Sequence, residues 1–104
     1  MAQVRILEEA AEEAIEAAAW YEEQRPGLGI EFAQAFHAAL DLLEEEVVPL
    51  ANMPGTAGRK GAKRLILSRF PYDVVVAEHR DVLIVVAVAH HSRRPGYWQH
   101  RRRA

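Results

Sequence analysis

Phe32, Phe36, Leu40, Leu43 and Val47 recur at steps of four, four, three and four. That spacing predicts an amphipathic helix over 30–47. Upstream, Ala11, Ala14, Ile15, Ala18 and Tyr21 recur at threes and fours within an Ala- and Glu-rich stretch. Ala and Glu are strong helix formers, so 8–23 is also expected to be helical. Between the two stands Arg25-Pro26-Gly27-Leu28-Gly29. The proline disfavours helix at Arg25 and the glycines permit a sharp reversal, so the helices should form an antiparallel hairpin. Phe32, Phe36, Leu40 and Leu43 are expected to pack on a sheet, with Ala14, Ile15 and Ala18 alongside. The small alanines predict a close approach to a neighbouring element.

The rest of the pattern has period two. Residues 3–7 alternate weakly and read as a short strand. Residues 49–58 hold prolines and glycines without periodicity and read as a loop. Residues 59–68, 72–79 and 82–89 read as three strands. In the first, Lys63, Leu65, Leu67 and Arg69 face one way and Arg64, Ile66 and Ser68 the other. Pro71 separates it from the second, and Arg80-Asp81 is a tight connection to the third. The third is apolar on both faces, which places it inside the sheet. An interior strand needs two neighbours, and only 72–79 and the N-terminal strand are available. The expectation is an α+β fold of order β-α-α-β-β-β. A helical hairpin covers one face of a four-stranded, mainly antiparallel sheet with strand order 1-4-3-2.

With 104 residues, half of them hydrophobic, the chain suits a single domain, with 99–104 as a disordered basic tail. The absence of cysteine excludes disulfides, thiolate metal sites and cysteine nucleophiles. No apolar run exceeds the eight residues from Val82 to Ala89, so no membrane partner is expected and the cytoplasm is the expected location. Ser68 and Ser92 stand in no nucleophile elbow, and Pro54 to Gly58 lacks phosphate-loop spacing. His90, His91 and His100 do not converge on one ion from these positions, so neither metal nor cofactor is expected. Charge is divided unevenly. Residues 1–48 carry twelve acids and two bases, whereas 49–104 carry three acids and eleven bases. One acidic and one basic region should result, the latter suited to an acidic partner.

Three stretches resemble one family. They are Ala19-Trp20-Tyr21-Glu22-Glu23-Gln24-Arg25-Pro26-Gly27-Leu28-Gly29, then Arg69-Phe70-Pro71-Tyr72, then Val86 to His90 leading into Arg93-Arg94-Pro95-Gly96-Tyr97-Trp98. In order and spacing they resemble the RelE/ParE superfamily of bacterial type II toxins, in its ParE-like, plasmid-stabilisation branch. The resemblance implies the toxin of a toxin–antitoxin pair, neutralised by a cognate antitoxin. ParE-like members are associated with inhibition of DNA gyrase, whereas RelE-like members cleave mRNA on the ribosome.

The residues favour the first activity. RNA cleavage by its own 2′-hydroxyl needs a base, cationic support for the phosphorane and an acid for the leaving oxygen. Where the nuclease branch places an arginine, in a Tyr-Arg-Leu-Val pattern, this chain has Tyr72-Asp73-Val74-Val75. A second family arginine matches His91, and Tyr97 matches the family tyrosine. An acid in place of a cation is expected to repel phosphate, so the chain is expected to bind rather than cut. If it does cut, as an endoribonuclease, Arg64, His91, Arg93 and Tyr97 are the catalytic candidates. For target or antitoxin binding the candidates are Arg64, Arg69, His90, Arg93, Arg94, Tyr97 and Trp98. The expected partners are an antitoxin and DNA gyrase. The ribosome with mRNA, or the antitoxin alone in a degenerate copy, are the alternatives.

Overall fold

A computed structural model describes residues 3–45, 50–52, 61–94 and 96–101. The elements run β1 (Gln3–Ile6), α1 (Glu8–Gln24), α2 (Leu28–Glu45), β2 (Ala51–Asn52), β3 (Lys63–Ile66), β4 (Tyr72–His79) and β5 (Val82–His90). The sheet order is β1-β5-β4-β3-β2. Its first four members are the expected 1-4-3-2 arrangement. Among the described residues only β1 against β5 is parallel; β5, β4, β3 and β2 pair antiparallel. Val74, Val75, Val76, Ile84 and Val85 are fully buried, in keeping with an interior β5 and its neighbour β4.

β2 was unexpected. Ala51 and Asn52 pair with Arg64 and Lys63 at the sheet edge, inside the segment read as a loop. Two residues are too few to show a period, so pairing alone reveals the strand. The strand predicted over 59–68 is ordered as such only at Lys63–Ile66. At its far end the Leu67 N–H donates to the Tyr72 carbonyl at 2.9 Å, closing a turn in which Arg69 takes a φ of 70°. Val47, residues 53–60 and residues 102–104 lie outside the described residues.

The helices cover one face. Tyr72 of β4 meets the rings of Tyr21 and Phe32, which also enclose Phe70. Phe32, Phe36 and Leu43 are buried, as the stripe predicts, and Leu40 is half-buried. In α1 the buried positions are Ala10, Ala14 and Ala17. Ile15, expected in the core, is 69% exposed. Alanine offers little contrast between helix faces, so the α1 pattern leaves its rotation underdetermined, and packing on both α2 and β5 settles it. The junction is held by Glu22. Its carboxylate accepts the Gly27 N–H at 3.0 Å and the Gly29 N–H at 3.0 Å, satisfying donors at the start of α2. Gly29 lies so near α1 that a Cβ there would stand 2.5 Å from the Ala18 carbonyl oxygen.

The β4–β5 connection turns on Arg80 and Asp81, with φ of 52° and 67°. Two successive positive φ values fit a type I′ hairpin turn, here without glycine. A β-bulge follows: Val75 pairs with Ala87 and Val76 with Val85, leaving Val86 without a partner. Among the described residues no helix is long and apolar enough to cross a membrane.

Candidate functional site

Asp73 and Tyr72 are neighbours on β4, so they point to opposite faces. Tyr72 faces the helices. Asp73 faces away, in register with Ile66 of β3 and Ala89 of β5. Arg64 shares that face, two residues before Ile66. The three polar groups meet there. His91 Nε2 lies 2.9 Å from Asp73 Oδ1, and Arg64 donates to Asp73 Oδ2 at 3.2 Å. The His91 N–H donates to the Pro71 carbonyl at 2.8 Å, which fixes the ring's starting point. The Asp73 side chain is only 7% exposed.

This pairing changes the meaning of Asp73. The sequence presents it as a free acid in a cation's place. In the fold its oxygens are both engaged, by a guanidinium and an imidazole, so it does not stand as a bare charge toward a phosphate. Burial of a carboxylate demands such partners. Arg64 is correspondingly committed, and its Nε is buried without a hydrogen-bond partner among the described residues.

The second cluster forms along β5. β1 ends early: the Leu7 N–H donates to the Val85 carbonyl at 3.0 Å, and no strand continues beyond it on this side among the described residues. The backbone of β5 past Val85 still needs partners. Side chains supply them. Glu13 Oε1 accepts the Val88 N–H at 2.9 Å, and Arg101 Nη1 donates to the carbonyl of the bulged Val86 at 2.9 Å. Glu13 also accepts both ends of the Arg101 fork at 2.9 Å and the Tyr97 hydroxyl at 2.6 Å. Four hydrogen bonds fill the capacity of one carboxylate. Burial pushes the Glu13 carboxyl up, but the bonds from Arg101, Tyr97 and Val88 with the Arg101 charge outweigh it, so it lies below its ordinary value. The Tyr97 phenol moves far the other way, pushed up by burial and then by the hydrogen bond and charge of Glu13. Its ring also carries the Arg93 guanidinium at 3.8 Å from the centroid.

The residues singled out from sequence therefore do not form one surface. Arg64 and His91 meet on Asp73. Arg69 is elsewhere, donating to Glu31 of α2 at 2.7 Å. His90 packs edge-on against Tyr72, 5.1 Å between centroids, on the helix-covered face. Arg93 stacks on Tyr97, and Arg94 is exposed. Trp98, expected as a contact anchor, is 6% exposed and belongs to the core. Residues 99–101, expected in a disordered tail, form a turn that ends on Arg101, whose side chain is 10% exposed. Glu13 and Arg101 carried no signal of their own, being one acid among many and one member of an arginine run. Trp20 did carry one, since it lies off the apolar stripe of α1, and it is 54% exposed. Among the described residues no group of three His, Asp or Glu side chains is placed to hold a metal ion.

No family model matches the chain, and no curated protein matches it. A solved structure does. The fold is similar to that of a chain of the chromosomal ParDE TA system from P. aeruginosa, with a TM-score of 0.72 and 15% sequence identity. The similarity covers 86% of this chain and 96% of the other. At that identity the two share a fold of the ParE-like kind expected from the sequence.

Proposed function

We propose that this protein is the toxin component of a type II toxin–antitoxin system, of the ParE-like kind. It acts by binding DNA gyrase and is neutralised by a cognate antitoxin in the cytoplasm. The fold similarity to a ParDE chain supports the class. The observation that carries the mechanism is the state of Tyr97. Its hydroxyl donates to Glu13 at 2.6 Å and its acidity is suppressed by burial and by that carboxylate. A phenol so held is a poor general acid or base near neutral pH. Asp73 sets no bare charge against RNA cleavage, because Arg64 and His91 already pair it.

One feature favours the endoribonuclease reading. Buried Asp73 grips His91 by Nε2, so the ring is oriented as a base is oriented by a carboxylate. Supercoiling by purified gyrase and ribosome-programmed mRNA cleavage should be measured side by side with the full chain. The expected result is loss of supercoiling with intact mRNA. Codon-dependent cuts that disappear in His91→Ala, with supercoiling untouched, would replace the gyrase reading by the nuclease.

A further inference from the structure

Between α1 and the chain that leaves β5 lies an open cleft of about 250 Å³. Ala17 and Val88 are buried at its base, and Trp20 stands in its wall while 54% exposed. A tryptophan left this open on a small domain is the residue type that anchors protein interfaces. The opposite wall holds His90 and Arg93. His90 Nδ1 accepts the Ser92 N–H at 2.9 Å. An accepting nitrogen bears no hydrogen, so the neutral ring carries its proton on Nε2, as a donor. Arg93 is positioned by stacking on Tyr97, and among the described residues its guanidinium makes no hydrogen bond. Glu13 also lines the cleft, but its oxygens are filled by Arg101, Tyr97 and Val88. The donor wall is therefore not cancelled by Glu13. Glu16 remains, on the α1 side.

We propose that this cleft seats a short segment of a protein partner, with an apolar side chain against Trp20 and a neighbouring carboxylate against His90 and Arg93. The segment's end nearer Glu16 carries a basic or amide side chain, because a second acid there meets like charge. The proposal rests on the antitoxin reading and gives that partner a chemistry: acidic, apolar and basic groups in order along one extended stretch. It moves the contact away from the Asp73 face, where Arg64 is already engaged, and away from buried Trp98. The cleft is held on the side of the chain that leaves β5, because Glu13, itself gripped by Arg101, holds Tyr97, and Tyr97 holds Arg93. A pre-set donor wall loses less freedom on binding than a mobile one.

The test uses the full chain and the purified product of the adjacent reading frame, titrated by calorimetry. Trp20→Ala and Arg93→Gln should each weaken the dissociation constant at least tenfold, and Trp20→Phe should restore most of the affinity. Ile30→Ala removes a side chain at least as exposed, outside the cleft, and should change affinity less than twofold. Melting curves of all variants separate lost binding from lost folding. Trp20→Ala and Arg93→Gln binding within twofold of wild type would overturn the cleft while leaving the antitoxin reading in place. Absence of binding by the wild-type chain at micromolar concentration would overturn both.

Discussion

Glu13 and Arg101 stand 88 positions apart and are joined by two parallel hydrogen bonds of 2.9 Å. The fork meets the carboxylate in the bidentate geometry that is both stronger and more directional than a single contact. The pair is largely buried, with side-chain exposures of 10% for Arg101 and 16% for Glu13. It also completes the β5 backbone where β1 stops. Glu13→Ala strands Arg101, the Tyr97 hydroxyl and the Val88 N–H together. The expected loss is about 3 kcal/mol, as for other broken buried pairs. Chemical denaturation of the variant measures it, and a loss below about 1 kcal/mol would show that water replaces the latch.

The same carboxylate makes stability depend on pH at the acid end. Its folded value lies below the ordinary 4.5, so its contribution is complete above 4.5 and fades as pH falls through the folded value. The stability gap between wild type and Glu13→Gln should therefore narrow on acidification below about pH 4.5. A gap constant from pH 7 to pH 3 would contradict the pairing.

Tyr97 sets the alkaline end. Its folded value lies above the ordinary 10.0, so its stabilising contribution is complete below 10.0 and declines as pH rises through the folded value. Tyr21 and Tyr72, also pushed up, chiefly by burial, act in the same window. Ultraviolet titration should show phenolate forming well above pH 10, with unfolding accompanying it. Tyr97→Phe should weaken the alkaline fall in stability. Free ionisation of all three tyrosines near pH 10 in the folded protein would refute this.

Gly29 offers a test of sign. It lies inside α2, where replacing glycine by alanine ordinarily stabilises a helix by about 1 kcal/mol. Here the new Cβ meets the Ala18 carbonyl oxygen at 2.5 Å, a backbone atom that cannot move alone. Gly29→Ala should destabilise, by about 1–3 kcal/mol, the usual cost of overpacking. A higher melting temperature in the variant would mean that the hairpin is more open than described.

The Arg80–Asp81 turn runs the other way. Both residues hold left-handed backbone, with φ of 52° and 67°, and non-glycine residues lose about 1–2 kcal/mol there. Asp81→Gly should raise stability by about 1 kcal/mol, which shifts the melting temperature by about 4–8 °C in a domain of this size. A lowered melting temperature would show that Asp81 contributes through its side chain instead.

Every element but β2, and the order of those elements along the chain, is legible in the residues alone. Large apolar side chains at helical spacing defined α2, and Pro26 with two glycines placed the reversal. Doubly apolar Val82 to Ala89 required a central strand, and the strand order followed by elimination. These signals are local or depend on burial alone, so they survive without coordinates. Which side of α1 is buried depends on the packed fold, because its alanines make both sides nearly alike. The fold also sets how the polar groups of the site are paired. Asp73 reads as a free acid until β3 and the end of β5 bring Arg64 and His91 to it. Tyr97 reads as a reactive phenol until Glu13 takes its hydroxyl across the fold. Arg101 reads as part of a loose tail until it meets the unpaired end of β5. Each of these depends on partners that only the fold brings together, and those of Tyr97 and Arg101 gather where β5 is left uncovered. A one-dimensional pattern holds the polar groups but not the pairings that set what each can do.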